Sequence, residues 1–184
     1  MIRKYPQAVF VVLFPYVLLF VFYCILHSEF VNMLFKDSTD VLYVPVAAYI
    51  AAFLGAVSVP VISLKKKADG AAICRLNLFV KLLHIPAYVL FFLMAMLCLT
   101  TIFTFAVSIV FAAADLAMIS VSGIIGLAAV IGSAKEKKIS GVAAVFHGVL
   151  QFMFCLDMIS AVILYRKNEK REKRVYGKSS IDHD

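Results

Sequence analysis

Residues 85–134, IPAYVLFFLMAMLCLTTIFTFAVSIVFAAADLAMISVSGIIGLAAVIGSA, form one long apolar run with a single charged side chain, Asp115. As one helix it would extend about 75 Å at ~1.5 Å per residue. A bilayer's hydrocarbon core is only ~30 Å thick and is crossed by ~20 apolar residues. The run must therefore fold back on itself and cross twice. Two turning points fit. A turn at Thr100, Thr101 and Thr104 leaves Asp115 inside the second helix. A turn at Ala112–Asp115 lets the carboxylate cap that helix by accepting from its free N–H groups. The residues alone leave both open.

The flanking chain has the same character. Hydrophobic residues make up 64% of the sequence and charged residues 16%, with a mean hydropathy of +0.98. Soluble domains are nearer ~45–50% apolar, and no single core of this size hides such an excess. Toward the N-terminus, residues 8–26 form a first span after Arg3 and Lys4. Its apolar run exceeds the ~7–15 residues of a signal peptide, and FYCILHSEF lacks a small-residue cleavage pattern, so a retained span is expected. Pro15 predicts a kink, because proline removes a backbone hydrogen bond. A second span is predicted at about 41–64, ending at Lys65-Lys66-Lys67.

In GAAICRLNLFVKLLHIP, Leu76, Phe79, Val80 and Leu83 recur at helical spacing while Arg75, Lys81 and His84 lie elsewhere. That pattern predicts a short interfacial helix before the third span. After AKEKKIS a last span is predicted at 141–165, followed by a basic tail, 166–184, too polar to fold alone. The chain thus reads as all-α, a polytopic transmembrane helix bundle of about five spans (8–26, 41–64, 85–111, 116–134, 141–165), four to six being compatible.

Charge placement tests that count. Basic residues gather at Arg3 and Lys4, at Lys65–Lys81, at Lys135–Lys138 and in the tail from Arg166 to Lys178. Cytoplasmic loops carry an excess of Lys and Arg. Five spans put the tail opposite the other clusters, and neither orientation then satisfies the rule. A re-entrant apolar stretch would restore an even count. The N-terminus is expected inside, because the acidic first loop (Glu29, Asp37, Asp40) then faces out. The expected location is a cell membrane, of the bacterial plasma membrane type. Bilayer lipid, including anionic headgroups beside the basic loops, is the expected partner, and nucleic acid is not.

Asp157 is the most informative single residue. It lies within the last predicted span, where a charge costs ~2.5–3.5 kcal/mol on insertion scales, so it should face the bundle interior. The functional reading is a proton, cation or headgroup site; the structural one is a carboxyl hydrogen-bonded to a neighbouring span. His147 and Gln151, four residues apart, share a helix face, and Asp115 is the other intramembrane acid. These four residues define a candidate polar site between the last three spans. Ala47, Ala51 and Gly55, with Ala48, Ala52 and Ala56 beside them, form a small-residue face suited to close helix packing, within the chain or against a membrane partner or second copy.

Enzyme signatures are not found: there is no phosphate loop, no HExxH motif, and no nucleophile with an identifiable base. The four cysteines, Cys24, Cys74, Cys98 and Cys155, stand singly, so neither metal nor cofactor is indicated. Two stretches, RLNLFVKLLHIPAYV and FCLDMISAVILYRK, resemble uncharacterised small multi-pass membrane proteins of Gram-positive bacteria, a resemblance that assigns no functional residue. Size and hydrophobicity are also similar to the six-span substrate-binding subunits of energy-coupling vitamin transporters. The leading expectation is a non-enzymatic accessory or interaction subunit using the small-residue face. A small transporter or solute-binding subunit built on Asp157 is second, and a lipid-modifying enzyme third.

Overall fold

The computed structural model describes residues 5–27, 40–65, 70–100, 104–153 and 156–181, and these form six helices. They are α1 (Ala8–Leu26), α2 (Tyr43–Lys65, entered through a 3-10 turn at Asp40–Leu42), α3 (Gly70–Leu99), α4 (Phe105–Lys135), α5 (Gly141–Leu150) and α6 (Leu156–Ile181). The first four are long and apolar enough to cross a membrane. The protein is an all-α helical membrane bundle. Its outer surface is hydrocarbon, as a lipid solvent requires: Phe20, Leu54, Leu97 and Val110 are among many large apolar side chains left exposed.

Three prolines lie inside α1, α2 and α3 (Pro15, Pro60 and Pro86). Each withdraws an N–H from the carbonyl four residues earlier. At Pro15 that carbonyl belongs to Val11, and His84 of α3 takes it, with Nε2 2.9 Å from Val11 O. Tyr16 of α1 donates in turn to the carbonyl of Leu83 at 2.5 Å. The kink that weakens α1 locally thus becomes the place where α1 is fastened to α3.

Small residues set the helix spacing. A Cβ on Gly55 of α2 would stand 2.7 Å from the carbonyl oxygen of Gln7, so only glycine allows α2 this close to the start of α1. Contacts of Cys74 with Ser133, and of Tyr88 with Ser122, run α3 antiparallel to α4. Phe111 of α4 meets both Phe22 of α1 and Phe91 of α3, which places the C-terminal halves of α1 and α3 at one end. At the other end Gly70 donates its N–H to Glu136. There α4 stops in a Schellman turn: Lys137 has φ 53°, its N–H donates to Ala134 O, and Lys138 donates to Ser133 O. Ser140 then caps α5 by accepting from Ala143 N.

Four sequence readings are resolved or changed, the first of them a choice the residues had left open. The turn in 85–134 falls just after Leu99, where the Thr100 and Thr104 hydroxyls donate to the carbonyls of Leu97 and Cys98; α4 runs unbroken through Ala112–Asp115. GAAICRLNLFVKLLHIP is not an interfacial helix but the first half of α3, continuous through Pro86. Lys81 and His84 are buried in protein together with Leu76 and Val80, while Arg75, Phe79, Leu82 and Ile85 face outward, so its polar residues are not gathered on a water-facing side. Helix α6 continues to Ile181 through the segment expected to be a disordered tail.

The fourth change governs the rest. The predicted span 141–165 does not run straight through. Had it done so, His147 and Ser160 would stand about 20 Å apart; instead His147 Nδ1 lies 2.8 Å from Ser160 Oγ. Helices α5 and α6 form a hairpin. On the way in, Gly148 approaches Leu127 and Phe152 approaches Gly123; on the way out, Asn168 of α6 bonds Ser133, near the end of α4. The hairpin reaches about half-way along α4 and returns to the end it came from. Glycines of α4 make room for its tip: a Cβ on Gly126 would overlap the Gln151 amide, and one on Gly123 the Phe152 ring.

Candidate functional site

Along one face of α3 the polar residues Cys74, Asn77, Lys81, His84 and Tyr88 follow at steps of three and four, the spacing of one helical stripe. Helix α6 presents Asp157, Ser160 and Asn168 to the same seam, all buried. At the basic end Asn168 Nδ2 donates to Ser133 Oγ and Leu164 O, both at 2.9 Å, and Cys74 Sγ lies 3.3 Å from Ser133 Oγ. About two turns deeper along α6, His147 and Gln151 converge on Ser160, with Gln151 Nε2 2.9 Å from its hydroxyl. Asn77 Nδ2 reaches toward Gln151 Oε1 at 3.5 Å.

At the hairpin tip stands the central pair. Lys81 Nζ lies 2.7 Å from Asp157 Oδ2, and the two side chains are only 1% and 5% exposed. Asp157 occupies the first turn of α6 because the hairpin restarts there, and the positive N-terminal end of that helix favours a carboxylate. Lys81 lies about 5 Å from the midpoint of the 30-residue α3. Either charge alone at such a depth would cost several kcal/mol; together each supplies the other's counter-charge.

Beyond the tip the bundle is open sideways. A cleft of about 610 Å³ lies between α3 and the start of α6, floored by α4. Ile85, Val89 and Phe92 of α3, Ile119 of α4 and Met158 of α6 line it, and Lys81 and Asp157 sit at its inner end. Among the described residues the hairpin reaches only about half the depth of the bundle, and the cleft lies beside its turn, along the outer half of α3. The cleft is the space left over.

Two of the four candidate polar residues, His147 and Gln151, meet directly at Ser160, and Asp157 follows a few residues on. Asp115 does not join them. It lies about three turns along α4 from the level of Lys81, half-buried, with Oδ1 unpartnered. The seam also holds residues the sequence reading did not select: Lys81, Asn77, Ser160 and Asn168. Among the described residues three further buried acceptors, Asn77 Oδ1, His84 Nδ1 and Asn168 Oδ1, have no protein partner. In the small-residue face, Ala52, Gly55 and Ala56 are buried inside the bundle, Ala48 and Ala51 partly so, and Ala47 is exposed. Among the described residues no three His, Cys, Asp or Glu side chains gather as a metal site.

A family model covers residues 7–170, which takes in α1 to α5, α6 as far as Lys170, and all of the seam. The chain belongs to the Family of unknown function (DUF6652). Neither the curated proteins nor the solved structures contain a match. Membership therefore agrees with the resemblance to an uncharacterised family and assigns no activity to Lys81 or Asp157.

Proposed function

We propose that this DUF6652 member is a non-enzymatic, ligand-binding membrane protein that takes an apolar molecule from the bilayer into the cleft beneath its hairpin. Four spans and a re-entrant hairpin put the ends of α2, α4 and α6 on one side, and the excess of basic residues there makes that side cytoplasmic. The cleft then opens into the outer leaflet. One observation carries the reading: a buried lysine–aspartate pair closes the inner end of an otherwise hydrocarbon cleft that faces lipid. Ionisable residues within spans concentrate at functional sites, and concave apolar sites with few convergent polar groups are the usual form of ligand pockets, at ~300–1,000 Å³.

The accessory-subunit reading has less support, because the central residues of its proposed contact face pack within the chain. The test is to purify the protein in mild detergent, identify retained lipid by native mass spectrometry, and repeat with Val89→Trp, which fills the cleft. Retention of a defined apolar species by the parent and its loss from Val89→Trp is the expected result. Equal retention by both would overturn the proposal.

A further inference from the structure

The chemistry of the cleft's inner end restricts what can occupy it, if the cleft is a ligand site as proposed above. Lys81 and Asp157 sum to zero charge and already neutralise each other at 2.7 Å. An anionic head would have to draw Lys81 away and leave a buried carboxylate unpaired; a cationic head would strand the ammonium. Both are unfavourable in hydrocarbon. A neutral head that both donates and accepts has no such conflict. A hydroxyl can donate to Asp157, whose carboxylate accepts at several positions, and accept from one of the ammonium's remaining N–H groups.

Length and direction agree with this. From Lys81 to Leu93 the cleft runs twelve residues along α3, about 18 Å, close to half of a ~30 Å hydrocarbon core. Its walls beyond the pair are Ile85, Val89, Phe92 and Ile119, with the Tyr88 hydroxyl directed to Ser122. One extended chain is accommodated with its polar end at mid-depth and its tail pointing outward, opposite to the bilayer's own lipids. We infer that the ligand is a neutral single-chain amphiphile, an alcohol of the fatty or prenyl type, whose hydroxyl bridges Lys81 and Asp157.

The test uses purified full-length protein in mild detergent and three probes of equal chain length: hexadecane, 1-hexadecanol and hexadecyl phosphate. Binding is read by thermal shift and by native mass spectrometry. Hexadecanol is expected to bind at least about tenfold more tightly than hexadecane or the phosphate, the scale of a hydrogen bond to a charged group. That preference should vanish in Lys81→Met/Asp157→Leu. Equal binding of hexadecane and hexadecanol by the parent would overturn the inference while leaving the cleft as a site, and this comparison holds even if the double variant fails to fold. Preference for the phosphate, or a preference surviving in a folded double variant, would overturn it too. If no probe binds the parent and Val89→Trp changes nothing, the underlying cleft reading has failed instead.

Discussion

Replacing Lys81 with methionine, Asp157 with leucine, and then both together separates the two things a buried ion pair can do. The pair is 2.7 Å long and its side chains are almost wholly buried. Removing one partner leaves the other charged in a low-dielectric interior, which typically costs about 3–5 kcal/mol. Methionine keeps the unbranched stem of Lys81, and leucine fills the volume of the Asp157 carboxyl. The double variant therefore replaces the pair by hydrocarbon, and its stability should lie within about 1 kcal/mol of the parent or exceed it. The cycle should show a coupling of at least about 3 kcal/mol. Thermal unfolding in mild detergent measures it: at roughly 2–4 °C per kcal/mol, each single substitution lowers the midpoint by about 6–20 °C and the second restores it. Additive losses, with the double variant worse than either single one, would refute the idea that the two charges exist for each other. Neutral single variants would show that neither is held where the structure puts it.

Other consequences follow from the same geometry. Gly126→Ala should lose about 1–3 kcal/mol, because its Cβ enters the space of the Gln151 amide, and Gly55→Ala should lose as much against the Gln7 carbonyl. Gly141→Ala is the control: nothing lies within 4 Å of the added methyl, so a neutral or slightly stabilising effect is expected in the same thermal assay. Ser160→Ala removes the hydroxyl on which His147 and Gln151 converge and should cost about 1–3 kcal/mol, while Ser58→Ala, which loses a partly buried bond to its own helix, should cost less.

Much of the bundle is legible in the residues. The first two spans are marked by unbroken apolar runs ending in charge, and α1 occupies the predicted 8–26. The need for a fold-back within 85–134 follows from length alone. What the residues could not decide was non-local. Asp157 was conspicuous as a charge in an apolar segment, but Lys81 was read as interfacial, because a stripe of polar residues at three- and four-residue steps fits an interfacial helix as well as a buried seam. Only the continuity of α3 through Pro86 tells the two apart. The hairpin break is similarly silent: Gln151–Met153 contains neither proline nor glycine, and the glycines that accommodate it, Gly123 and Gly126, lie on another helix. One signal did point to it. An odd number of spans left the basic tail opposite the other basic clusters, and the hairpin removes that conflict.

Everything proposed for the cleft depends on the last apolar segment turning back instead of crossing. Single cysteines at Thr104, Lys138 and Lys170, placed in a background lacking Cys24, Cys74, Cys98 and Cys155, test this directly through labelling by a membrane-impermeant maleimide in sealed, oriented vesicles. Lys138→Cys and Lys170→Cys are expected to label from one side and Thr104→Cys from the other. Labelling of Lys138→Cys and Lys170→Cys from opposite sides would mean that residues 141–165 cross the membrane, and Asp157 would then have no hairpin tip on which to meet Lys81.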